Sequence, residues 1–250
     1  MENMRKNTIH IVLLLMAFLY PPFLKGTDFI SFNALNVFNV LNHKQLYTEM
    51  QLENIVNYTA FKQALTGYYK ITTERNDIIT LIDFTKPSTE ERFYVLDIKQ
   101  KKMLFSSHVS HGRNSGENYA TSFSNQSGSY KSSLGFYLTG NTYYGKHGYS
   151  LILNGLEKGI NDKAKERAIV IHGASYANPS AIAGKGRLGR SLGCPALPQA
   201  VSGAIINAIK NGSLLYIYAD DKNYLEQSSF AMDTTFLNTD NTDFHRFLYY

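Results

Sequence analysis

The sequence has no tryptophan, a single cysteine among 250 residues, and no apolar run long enough to cross a bilayer. Each lack excludes something. One cysteine cannot close an internal disulfide, so the fold rests on its core and not on covalent staples. The longest apolar run, Ile9 to Leu19, falls short of the roughly 20 residues that a bilayer core demands, and His10, Pro21 and Pro22 prevent its extension. Phosphate-binding glycine loops of the P-loop and dinucleotide types are missing, and no internal repeat is visible. Charge is sparse as well: 25 basic against 20 acidic residues give a formal +5. That modest, dispersed excess points away from nucleic acid as a partner, while attraction to an anionic wall polymer is compatible with it.

What is present supports a real core. Apolar residues make up 44% of the chain and aromatics 13%, with Tyr and Phe supplying all of the latter, a balance suited to β-rich packing. Residues 1–26 follow an export pattern, with Arg5 and Lys6 before the apolar run and the Pro21-Pro22 break after it. Leu24-Lys25-Gly26 marks a cleavage site poorly, so an uncleaved N-terminal anchor tethering the chain to the membrane stays open. Residues 27–75 read as a helical segment, with Leu35, Phe38, Leu41, Leu46, Met50, Phe61, Ala64, Leu65 and Tyr68 near helical spacing, Thr59 as a cap and Gly67 as a stop. From residue 76 the texture becomes β-like. Ile78–Phe84, Phe93–Ile98 and Met103–Val109 read as strands, the last two as an inner hairpin, and Tyr149–Leu153, Ala168–Ile171 and Leu214–Tyr218 as further strands. Pro198–Lys210 reads as an amphipathic helix with Val201, Ile205, Ile206 and Ile209 on its apolar face. The tract from His108 to Tyr149 is polar and glycine-rich yet carries aromatics, including Tyr143, and reads as loops walling a cleft. Domains are therefore expected at 27–75, 76–219 and, as a polar tail of no assigned role, 220–250.

The chemistry gathers at Gly186 to Leu197, where Cys194 lies in a glycine-punctuated, arginine-flanked loop. A cysteine nucleophile needs a base, an orienting group for the base, and donors for the oxyanion. His172 follows the apolar run Ile169-Val170-Ile171 and precedes Gly173, so a strand end would hold it as the base. Such a pairing depresses a thiol's pKa below about 8.5. Gly193 and Cys194 offer backbone N–H groups for the oxyanion, and Ser191 could brace the loop or the histidine. Arg190 and Arg187 are candidates to hold a substrate carboxylate, with His111 and Tyr143 as further substrate contacts in the cleft wall. His108, His111 and His147 have no carboxylate in a zinc-like pattern with them, so no metal is expected.

Ile171-His172-Gly173-Ala174 and Gly189-Arg190-Ser191-Leu192-Gly193-Cys194-Pro195-Ala196 resemble the His-Gly and Ser-x-Gly-Cys signatures of the L,D-transpeptidase catalytic-domain family, the YkuD type, and most closely its murein L,D-transpeptidase branch. Phe123-Ser124-Asn125, Ser132-Ser133-Leu134-Gly135-Phe136-Tyr137, Gly155-Leu156-Glu157 and Asn161-Asp162 echo that branch. The resemblance implies a mainly β catalytic domain with some α, a YkuD-type β-sandwich preceded by a short helical segment. It implies an exported cysteine acyltransferase, in the periplasm or cell envelope, that acts on peptidoglycan stem peptides without a cofactor. Cys194 would form an acyl-enzyme and pass it to an amine; the backbone carbonyl that orients the histidine maps to Gly173. An L,D-carboxypeptidase with water as acceptor, and a non-catalytic wall-binding protein, remain open alternatives. Many members carry Arg or Asn two residues beyond the cysteine; Ala196 stands there, so that contact does not carry over.

Overall fold

The computed structural model describes residues 43–232. The export segment at 1–26, the beginning of the 27–75 segment and the end of the tail lie outside the described residues. Residues 43–49 are helical, and helix α1 spans Tyr58–Lys70. Its cap is Asn57, not Thr59: the Asn57 Oδ1 accepts from the N–H groups of Thr59 and Ala60, at 2.8 and 3.3 Å. Gly67 does not end the helix. A Cβ there would meet Phe136 Cε1 at 2.2 Å, so the glycine serves the close approach of α1 to the sheet beneath.

The strands are β1 (Arg75–Asp83), β2 (Phe93–Asp97), β3 (Lys102–Ser107), β4 (Gly135–Gly145), β5 (Gly148–Gly155), β6 (Val170–Gly173), β7 (Ala196–Leu197) and β8 (Ser213–Tyr218). They form one eight-stranded series in the order β3-β2-β1-β8-β4-β5-β6-β7. Helices α2 (Ser180–Lys185), α3 (Gln199–Ile209) and α4 (Lys222–Gln227) complete a mainly β domain with a few helices, as expected. The pairs β1–β8 and β6–β7 are parallel and the rest antiparallel. Register shifts in β1–β8, β2–β3 and β4–β5 bend the sheet.

The expected β2–β3 hairpin is present, but β3 is the edge and only its partner is buried throughout. Strand β4 lies inside the tract read as loops. Its glycines and asparagine mask a strand whose ladder is supplied from both sides, by β5 and β8. Centrally, Ile78, Thr80 and Ile82 on one face of β1 and Ile79 and Leu81 on the other are all buried, so both faces are covered. One apolar cluster joins Phe61 and Leu65 of α1, the sheet, Val109 and Leu134 of the long tract, and Tyr224 and Ala231 beyond β8. Side chains of this size contribute about 1.5–3 kcal/mol each when fully buried. The described residues before 76 and after 219 thus contribute to the same core. In α3 the inward residues are Ile205, Ile206 and Ile209, while Val201 faces solvent.

The resemblance-bearing motifs upstream of the site build a polar junction. Asn161 Nδ2 donates to the carbonyls of Leu134 and Phe136, and its Oδ1 accepts from the Glu157 N–H. The buried Glu157 carboxylate accepts from the Phe136 N–H at 2.7 Å and from the Ser228 and Tyr224 hydroxyls. Burial pushes its pKa up, and those donors oppose the rise.

Candidate active site

Strands β6 and β7 bring the two reactive residues together. His172 pairs with Ala196 in parallel register. Cys194 lies two residues before Ala196, and Val170 two before His172, which places the thiol alongside Val170. The Val170 N–H contacts Cys194 Sγ at 3.5 Å. Val170 and His172 lie two residues, about 7 Å, apart along the same strand. The thiol itself donates to the Ala168 carbonyl at 3.6 Å and not to the imidazole.

The loop before Cys194 is tightly held. Ser191 takes its N–H to the His111 carbonyl, and its hydroxyl donates to the Cys194 carbonyl at 2.6 Å. The Gly193 N–H donates to the Ser191 hydroxyl, so Ser191 braces the loop and Gly193 is not a free oxyanion donor. Among the described residues nothing accepts from the Cys194 N–H, which leaves that donor for developing negative charge. Gly193 has φ +129°, and a Cβ there would press on Ile169 Cδ1 at 2.9 Å and the Lys131 carbonyl at 3.0 Å; glycine is required.

His172 Nδ1 lies 3.1 Å from the Gly173 carbonyl. A carbonyl only accepts, so Nδ1 carries the proton and Nε2 keeps its lone pair. Burial lowers the imidazole pKa; the Gly173 carbonyl opposes this, and nearby His147 adds to it. Burial pushes the Cys194 thiol up, while the Val170 N–H and Arg167 pull it down. The resting pair is therefore neutral thiol and neutral imidazole, a correction to the depressed thiol expected from sequence: desolvation outweighs the donors.

The expected substrate contacts fall in different places. Tyr143, 42% exposed, pairs with Ser150, which pairs with His172, so all three share a row across β4, β5 and β6. Arg187 and Arg190 both bind Glu117, Nε to Oε2 at 2.9 Å and Nη1 to Oε1 at 2.7 Å. Arg190 Nη1 also donates to the carbonyls of Arg113 and Gly116. These arginines tie the 112–117 loop to the cysteine loop, which corrects their reading as open carboxylate clamps. Glu117 is largely exposed, so solvent screens both ion pairs and they tie the loops only weakly.

His111 is corrected more firmly, since it has no exposed surface. Its Nδ1 accepts from the Arg92 guanidinium at 2.7 Å, and Nε2–H donates to the Gly116 carbonyl. Burial, with Arg92 beside it, pushes its pKa down to about 4. A histidine whose folded pKa lies below its unfolded value contributes stability fully present above about 6.5 and lost as pH falls towards 4. Urea unfolding is expected to show about 3 kcal/mol less stability at pH 4 than at pH 7 from this group. Subtracting the profile of His111→Gln isolates it; an unchanged slope would exclude His111 as the source.

Three features were not foreseen. His147, at the β4–β5 turn, stacks on the His172 ring with centroids 4.5 Å apart. Ala196 is fully buried and packs with Ala174 and Ala177 in a small cluster, with Tyr176 against it. Arg167 lies against Gly193, its Nη2 3.5 Å from where a Cβ would be. Its only sequence signal was a charged run, Lys163 to Arg167, that reads as solvated surface. Among the described residues no group of three or more His, Cys, Asp or Glu side chains is arranged to hold a metal, and no helix is long and apolar enough to cross a membrane.

No curated protein sequence matches the chain. Solved structures similar to it include L,D-transpeptidase 3 from Mycobacterium tuberculosis, at 13% identity and TM-score 0.39, covering 57% of this chain and 61% of that one. An L,D-transpeptidase from Mycobacterium smegmatis is similar at 12% identity and TM-score 0.35, over 57% and 59%. The helical cell shape determining protein Pgp2 (K307A mutant) from Campylobacter jejuni is similar at 16% and 0.39, over 67% and 58%. The chain spans about three fifths of the length of these proteins, and likenesses at this level carry no argument. The family model for the L,D-transpeptidase catalytic domain matches residues 52–218, and on that match the chain belongs to the L,D-transpeptidase catalytic-domain family.

Proposed function

We propose that this chain is a peptidoglycan L,D-transpeptidase in which Cys194 is the nucleophile and His172 the general base. The observation that carries this reading is the His172 tautomer: with Nδ1–H on the Gly173 carbonyl, Nε2 keeps the lone pair a general base needs, on the same short strand whose Val170 N–H meets the Cys194 sulfur. Release of the Ala168 carbonyl lets the thiol pass its proton to Nε2. The sulfur then attacks the carbonyl at the L-centre of the diamino acid in the stem peptide, and the Cys194 N–H faces the developing oxyanion. The C–N bond to the terminal D-residue breaks, and the imidazolium gives its proton to that leaving amine. A neighbouring stem's amine attacks the thioester; His172 takes its proton and returns it to the departing sulfur. Tyr143 borders the His172 row and is assigned to substrate contact. The reaction is assigned to the periplasm or cell envelope, and the export pattern of residues 1–26 supports that assignment.

Incubation of the protein with a defined disaccharide tetrapeptide tests the reading. Cross-linked dimers with loss of the terminal D-residue are expected by mass spectrometry. Tripeptide without dimer would make the protein an L,D-carboxypeptidase, and unchanged tetrapeptide would leave it a wall-binding protein.

A further inference from the structure

Arg167 has no part in the scheme above. It nevertheless ends the turn that enters β6, next to the Ala168 carbonyl that holds the thiol. Its guanidinium is half-buried and fixed by neutral acceptors. Nη1 donates to the Ser124 carbonyl at 2.7 Å and Ser133 Oγ at 2.6 Å, and Nη2 to the Lys131 carbonyl at 2.7 Å and Ser129 Oγ at 3.3 Å. Two of those groups, Ser124 and Ser133, belong to the family echoes, and with Ser129 and Lys131 between them they form a cradle around one cation. With four N–H groups in use, Arg167 offers no fork to a substrate carboxylate. None of the ion pairs among the described residues includes it. Its charge therefore reaches its surroundings unneutralised, and Gly193, the residue before the thiol, lies against Nη2.

We propose that Arg167 is an electrostatic positioning residue, a fixed cation that stabilises the Cys194 thiolate once the thiol has given its proton to His172. The inference rests on the proposed role of Cys194. Burial opposes a thiolate here, and a neutral imidazole supplies no charge until it has accepted the proton. A guanidinium remains cationic throughout and cannot itself take the proton. The step is a proton transfer only: the S–H bond breaks, an Nε2–H bond forms, and no oxidant is involved. The titratable groups coupled to the thiol are Arg167 and Tyr176, and beside the guanidinium stands Tyr137; none is a carboxylate. The mutual coupling of Arg167 and Cys194 has the required sign, since each favours the charged form of the other.

The single cysteine makes the test direct, because every alkylation event reports on Cys194. Iodoacetamide labelling of the full chain, followed by intact mass from about pH 7 to about pH 11, gives the thiol's titration midpoint, or its shift from the labelling rates below it, without substrate. Arg167→Gln is expected to raise the midpoint by about one unit, making labelling about tenfold slower at neutral pH. Ser133→Asp, which gives the guanidinium a carboxylate partner while keeping it in place, is expected to move the midpoint the same way. Arg167→Lys, with charge retained and the fork lost, is expected to restore most of it. In the wild-type protein, raising salt from about 0.05 to about 1 M screens the cation and is expected to raise the midpoint, so the test stands even if a variant does not fold. Wild-type midpoints in folded Arg167→Gln and Ser133→Asp, or a salt-independent midpoint where neither folds, would overturn the proposal. Failure of acyl transfer with these shifts intact would instead count against the transpeptidase reading alone.

Discussion

Cys194→Ala is expected to abolish acyl-enzyme formation, with a rate loss of at least about 10⁴-fold, while the protein stays folded. The two halves of that result have separate causes. The sulfur is the only atom at this position able to form the thioester, and no second cysteine exists to replace it. The structural cost is small: Cys194 is only partly buried, and its sulfur makes two long contacts, at 3.5 and 3.6 Å, so truncation costs about 1 kcal/mol. Intact-mass spectrometry after treatment with a carbapenem reads the outcome directly. The wild type is expected to gain one adduct and the variant none, with matching thermal melts. An adduct on the Cys194→Ala protein would place the nucleophile elsewhere and remove the basis for the proposed reaction.

The largest effect on stability is expected at Arg92, which lies far from the thiol in function but beneath the loop that holds it. Its guanidinium has no exposed surface. Nε and Nη2 both donate to the Val109 carbonyl, Nη1 donates to the Lys86 carbonyl at 2.8 Å, and Nη2 also reaches His111 Nδ1. The guanidinium lies over the Phe84 ring at 4.9 Å. Burial lowers its pKa to about 9, with Asp83 opposing, so it remains a cation at neutral pH. Arg92→Met keeps much of the volume but leaves two carbonyls and an imidazole nitrogen buried without donors. Each such group costs about 1–3 kcal/mol, and loss of a buried charged partner typically totals about 3–5 kcal/mol. A fall of about 10 °C in the melting temperature is expected for a domain of this size. His111 passes its carbonyl to Ser191, so the cysteine loop is expected to loosen as well, seen as faster alkylation of Cys194. A loss under about 1 kcal/mol would show that the network is dispensable.

Sequence made the candidate pair Cys194 and His172 legible and its surroundings much less so. Cys194 and His172 stood out because a lone cysteine between glycines and a histidine at a strand end are local signals. The β2–β3 hairpin, α3 and β8 were legible for the same reason, since apolar periodicity and charged turns are short-range. Strand β4 was not, because Gly135, Gly140, Asn141 and Gly145 read as turn chemistry and its identity as a strand comes from partners far along the chain. The arginines beside the cysteine looked available to substrate until Glu117, some 70 residues earlier, was seen to bind both. His111 looked like a cleft residue because nothing near it in sequence announces Arg92, 19 positions away. Arg167 was hidden by its own neighbours, since a lysine-rich run gives no sign that one of its cations turns inward.

The Glu157 junction bears on the order in which this chain can finish folding. Its carboxylate is enclosed by the sheet, yet two of its donors, Tyr224 and Ser228, come 67 and 71 residues later, past the end of the family match at 218. A ribosome that has just delivered β8 has supplied every strand among the described residues, but the junction still lacks those two hydroxyls. Docking of α4, the last helix among the described residues, supplies those hydroxyls through non-local contacts, which form only after the intervening chain has been made.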